Sequence, residues 1–130
     1  MNDNEKTVRQ ACEAFTSGDM ETVKSIFADD VVVHVPSGLP MSGDHHGWDA
    51  FINDMLNRLV AALDGPPRLE VRDFTSSDAF VVGLYTIHAE RNRTAYEWRH
   101  TNTYRVADGR IAELWWSPFD LQTVQQALTA

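Results

Sequence analysis

Apolar residues recur along the chain with two periods, and the change from one to the other marks out its elements. Val8, Ala11, Cys12 and Phe15 fall at i, i+3, i+4 and i+7, the inner stripe of a helix over residues 4–16. Gly18 offers a left-handed stop, and Asp19 can cap a second short helix that turns Val23, Ile26 and Phe27 inward. The β-branched run Val31–Val35 then predicts a short strand, ended by Pro36. The turn formers of SGLPMSGDHHG predict a surface loop. Helical spacing returns in its strongest form at Trp48, Phe51, Ile52, Met55, Leu56, Leu59, Val60 and Leu63, and Gly65-Pro66-Pro67 ends that helix. Leu69 to Phe74 predicts a strand, and Phe80 to Asp120 predicts three more joined by two tight reversals. A terminal helix follows, with Leu121, Val124 and Leu128 on one side. Helices gathered at one end of a mostly antiparallel sheet make an α+β domain.

The reversals decide which side chains share a face, because strand residues alternate sides and opposed residues point the same way. Asp108-Gly109 is a strong two-residue hairpin signal that sets Val106 opposite Ile111, Tyr104 opposite Glu113 and Asn102 opposite Trp115. A reversal centred near Thr94 would set His88 opposite His100. One face then carries His88, Trp98, His100, Asn102, Tyr104, Glu113 and Trp115 among aliphatic residues, the usual composition of a small-molecule pocket. The other face is half apolar, which suits a sheet partly covered in a homodimer.

Composition narrows the partners. The 130 residues fit one domain, 1–130, large enough for a core without disulfides or metal. A net charge of −8 leaves no basic face for nucleic acid or an anionic membrane. No apolar run approaches a membrane span, the polar N-terminus does not read as a signal peptide, and the single Cys12 suits the cytoplasm.

Several ordered motifs resemble the SnoaL-like branch of the NTF2-like superfamily. They are Phe15-x-x-Gly18-Asp19 with Phe27-Ala28-Asp29-Asp30-Val31, then His34-x-Pro36, then Ser42-Gly43-x-x-x-Gly47-x-x-Ala50-Phe51. The end adds Tyr104-Arg105-Val106-x-Asp108-Gly109-Arg110-Ile111-x-Glu113-x-Trp115 and Asp120. The resemblance implies a cone-shaped barrel in which a curved, mostly antiparallel sheet wraps three helices around a deep pocket. Similar folds serve polyketide cyclases, ketosteroid isomerases and a dehydratase, and also non-catalytic binding domains. Where the cyclases carry a catalytic Asp after the last-strand Trp, this chain has Trp116.

The residues themselves suggest acid–base chemistry without a cofactor. An imidazole exchanges protons near neutrality, so His100, helped by His88 or Glu113, is the expected catalytic group. Asn102 or Tyr104 would stabilise an oxyanion, while His34, Trp48, Trp98, Trp115 and Trp116 would contact a small apolar or aromatic ligand. Asp120 reads either as a helix cap or as a ligand contact. Asp44, His45 and His46 fit no metal-ligand spacing. Beside an isomerase, dehydratase or cyclase, the same pattern admits a hydrophobic-ligand carrier or a structural dimer.

Overall fold

A computed structural model describes residues 2–129 of the chain. Helix α1 (Asp3–Ser17) opens on Asn2, whose side chain accepts the Glu5 N–H, and closes on Gly18 at φ 79°. Asp19 caps α2 (Met20–Ile26) by accepting from the Thr22 N–H. Both boundaries lie where the sequence put them.

The chain then crosses into β1 (Phe27–Val35) and returns as β2 (Gly43–His46), with His34 paired to Asp44. The second strand lies inside the stretch expected to be loop. A turn in which Ser42 Oγ accepts the Leu39 N–H at 2.8 Å folds residues 39–42 back, so the short tail can add to the edge of β1. A second long helical segment follows: α3 (Trp48–Ala50), a π-helical stretch at Phe51–Leu56, and α4 (Asn57–Ala61). Its wider middle turn was not legible in a pattern that fits ordinary helical spacing. Strands β3 (Arg68–Ser76), β4 (Phe80–Arg91), β5 (Thr94–Ala107) and β6 (Arg110–Pro118) complete the sheet, and α5 (Leu121–Thr129) ends the description.

The six strands run in the order β2-β1-β6-β5-β4-β3. All neighbours are antiparallel except β1 and β6, which are parallel. The fold is the expected α+β class; its curved sheet stays open and does not close into a barrel. The helices fill the concave side, where Val8, Val23, Met55, Tyr85, Ile111 and Val124 are fully or almost fully buried. Among the described residues, no helix is long and apolar enough to cross a membrane.

The register differs from the expected one in two places, and each shift turns a strand segment over. The β4–β5 turn is Asn92-Arg93, both at positive φ (48° and 66°), so Arg91 pairs with Thr94 and Tyr85, not His88, faces His100. Asp64 from beyond α4 fixes this turn by accepting the N–H groups of Asn92 and Arg93 at 2.9 and 3.0 Å. On β6 a bulge at Ala112 follows the Val106–Ile111 pair, so Tyr104 pairs with Leu114 and Asn102 with Trp116. His88, Glu113 and Trp115 therefore lie on the convex face, and Tyr85, Leu114 and Trp116 take the concave one. A one-residue slip exchanges faces because the side-chain period is two.

Candidate functional site

Between α1, the π-helical segment and the concave sheet lies a cavity of about 540 Å³. Phe27, Met55, Leu59, Ile87, Trp98, Leu114 and Trp116 supply an apolar wall. The π-helical stretch contributes Phe51, Ile52, Met55 and Leu56, four of its six residues, to that wall. Wider turns of this kind recur at functional sites because they re-aim side chains that ordinary spacing would turn away. The polar groups away from the rim are Cys12, Asn102 and Tyr104.

These three belong to one hydrogen-bonded chain along β5 and β4. Trp98 Nε1–H donates to His100 Nδ1 at 3.3 Å, and His100 Nε2 meets Asn102 Oδ1 at 2.9 Å. Asn102 Nδ2 donates to the Tyr104 hydroxyl at 3.2 Å, which lies 2.8 Å from the Tyr85 hydroxyl. Tyr85 in turn lies 3.2 Å from Cys12 Sγ. Strand alternation explains the row: residues 98, 100, 102 and 104 share one face of β5. Tyr85 reaches the row because residue 83 is glycine; a β-carbon there would overlap the Tyr85 ring and hydroxyl.

Every member of the row is held neutral. Burial pushes His100 down to about 4, only partly opposed by its bond to Asn102. Burial raises both tyrosines and the Cys12 thiol, so none ionises near neutral pH. His100 has no exposed surface and packs edge-on against the Trp116 ring, 4.4 Å between centroids. It stands behind Asn102 and does not line the cavity. The sequence pattern set Trp98, His100, Asn102 and Tyr104 on one face, as they lie here; its register put Trp115 there in place of Trp116, and it missed Tyr85 and the hydrogen bonds of Cys12. Cys12 reads as core because it falls on the apolar stripe of α1; its hydroxyl partners come from strands more than 70 residues away.

The remaining candidates lie elsewhere. Glu113 is on the convex face with His34, whose Nε2 is 2.6 Å from Glu113 Oε2 and whose Nδ1 is 2.7 Å from Asp44 Oδ1. Arg105 Nε donates to the other Glu113 oxygen at 3.0 Å, and Trp115 stacks on His34 at 5.3 Å. Two carboxylates on the two ring nitrogens require both to carry protons, so His34 is an imidazolium. Burial opposes that charge, but the bonds to Asp44 and Glu113 outweigh it and raise His34. The bond to His34 holds Glu113 and Asp44 below the usual carboxylate range. A Glu113 buried among apolar side chains without partners would be raised; here its partners hold it low.

His88 also sits on the convex face, with Nε2 2.9 Å from Glu70 Oε1. Trp48 packs in an aromatic corner with Phe27 and Phe51. Asp120 is the N-cap of α5, accepting from the Thr123 N–H at 3.1 Å and its hydroxyl at 2.6 Å. These positions remove Trp48, Trp115, His34, His88, Glu113 and Asp120 from the cavity wall. His45 is a structural residue, with Nε2 on the Met41 carbonyl at 2.7 Å.

With this geometry in view, comparison with known proteins places the chain. The model of the SnoaL-like domain matches residues 8–114. The chain belongs to the SnoaL-like family. This SnoaL-like chain overlays the structure of Bal32a from a soil-derived mobile gene cassette with a TM-score of 0.89. The two are 25% identical, with 97% of this chain and 96% of that one covered. An NTF2-like protein of unknown function from Burkholderia pseudomallei overlays over the full length of both chains, with 27% identity and a TM-score of 0.88. IdmH from Streptomyces antibioticus, proposed to be a polyketide cyclase, gives 0.74 at 22% identity over 95% and 96% of the chains, a likeness that speaks for the fold alone. No curated protein sequence matches this SnoaL-like chain.

Proposed function

We propose that this SnoaL-like protein binds a small, largely apolar or aromatic molecule in the concave cavity, without a cofactor. The observation that carries the reading is the lining: a continuous apolar wall with its buried polar atoms gathered at Asn102, Tyr104 and Cys12. Such a wall excludes water and fixes orientation through a few placed polar groups. Arg68, exposed, is the one charged residue among those that line it.

Titration with a flat aromatic ligand should quench the fluorescence of Trp98 and Trp116 saturably. Filling the cavity with Ile52→Trp should weaken binding about tenfold or more, by displacing ligand volume. Binding unaffected by that substitution would remove the cavity as the site.

Acid–base catalysis is the second reading, favoured by the Asn102 N–H beside the Tyr104 hydroxyl, a pair suited to a developing oxyanion. The proton acceptor expected from the sequence, His100, meets the cavity only through an amide, which does not take up and release protons near neutrality. Ligand recovered unchanged by mass spectrometry supports binding; an isomerised or dehydrated product lost in Asn102→Leu would favour catalysis instead.

The partner we propose is a second copy of this chain, seated on the convex face. Phe80 is 42% exposed there, tilted against Trp115 at 6.2 Å, with Val82 and Leu84 half-buried beside them.

A further inference from the structure

We infer that His100 is a positioning residue: it holds the amide oxygen of Asn102, so that the amide nitrogen is left to recognise a neutral hydrogen-bond acceptor on the ligand, such as a ketone carbonyl. The inference rests on the cavity being a ligand site.

As far as Tyr104, the direction of the chain follows from donor inventory alone. An indole nitrogen can only donate, so His100 Nδ1, 3.3 Å from Trp98 Nε1, must accept. A neutral imidazole then carries its proton on Nε2, and the Asn102 atom 2.9 Å away must be the oxygen. The nitrogen is thereby turned toward Tyr104, whose hydroxyl accepts one N–H at 3.2 Å. The Tyr104 and Tyr85 hydroxyls lie 2.8 Å apart and Tyr85 lies 3.2 Å from Cys12 Sγ; either atom of each pair can donate. From the imidazole to Tyr104 each link points toward the hydroxyl, and Trp98 at the head of the row fixes that sense.

An amide nitrogen has two hydrogens, and only one is used here. Among the described residues no protein atom accepts the second, although Asn102 is 7% exposed and borders the cavity. A hydrocarbon entering the cavity would strip water from that N–H and leave it unpaired, which is costly. A carbonyl oxygen would replace the water. A carboxylate is disfavoured, because it would shed its hydration against an apolar wall with no buried cation to receive it.

Isothermal titration near pH 7 with fluorene and 9-fluorenone, matched in shape, reads this preference. The ketone should bind about tenfold more tightly to the natural protein. In His100→Phe, shown to be folded by circular dichroism, the amide is free to turn and the ratio should fall to about one. His100→Gln, which can accept and donate in sequence, should keep most of the preference. Trp98→Phe removes the donor that sets the tautomer and should reduce the ratio severalfold; it decides the matter if His100→Phe does not fold. Equal affinities for the two ligands in the natural protein would overturn this inference and leave the cavity reading standing. Binding of neither would overturn both. A preference that survives folded His100→Phe, or is unchanged in Trp98→Phe, would overturn the role of His100.

Discussion

Protonating His100 would set a second N–H against the indole N–H of Trp98, two donors with no acceptor between them. With its value depressed from 6.5 to about 4, the folded protein resists a proton that the unfolded chain takes readily. The unfolded state therefore binds more protons between those values, and stability falls as pH drops from about 6.5 toward 4. The loss should reach roughly 3 kcal/mol. Urea unfolding at pH 7 and pH 4.5 should show it, and His100→Gln should flatten the difference; an unchanged slope would assign the acid sensitivity to another group. Asp44 and Glu113, held low, add a loss only further down, as pH falls through their depressed values. His34, held high, works in the other sense, its contribution present below 6.5 and lost as pH rises through its raised value. At this scale the sequence put His100, Asn102 and Tyr104 on one face and expected His100 to exchange protons near neutrality, whereas burial holds it neutral. A residue type announces that it can titrate; only burial decides whether it does.

Turns decided which of those residues could meet. Asp108-Gly109 was legible because glycine takes positive φ without cost, and the hairpin forms there as expected. Asn92-Arg93 carries no glycine, and Arg93 at φ 66° is held partly by Asp64, which lies 29 residues away in the chain. A turn whose support comes from so far off leaves little local signal, and centring it near Thr94 turned β4 over. The bulge after Ile111 left still less, and it moved Glu113 and Trp115 to the convex face. Arg93→Gly should restore the preferred Asn-Gly pair and stabilise the domain by up to about 1 kcal/mol with the register unchanged. A rise in thermal midpoint, with His100 resonances undisturbed, would bear this out; a fall would mean that the arginine side chain itself holds the turn.

For the whole molecule, the ordered motifs from Phe15 to Trp115 were enough to reach the fold, since element order constrains topology more tightly than any single register. They said little about the convex face, where apolar Phe80 and Trp115 border the Asp44–His34–Glu113–Arg105 charges. If a second copy lies there, Phe80→Glu should convert a dimer to a monomer in sedimentation equilibrium while ligand affinity in the cavity is kept. A natural protein that sediments as a monomer would exclude that partner.

An open sheet also has two rims, and every unpaired rim is a template on which further chains can add. Here one rim is β2, only four residues long. The other is β3, which carries Arg68, Glu70, Arg72 and Asp73 and is kinked between Val71 and Asp73. Short length, alternating charge and a kink each spoil the straight ladder that strand addition requires. A closed barrel would have removed both rims; the open sheet instead carries at its margins features that disfavour the addition of further strands, while the concave side stays accessible.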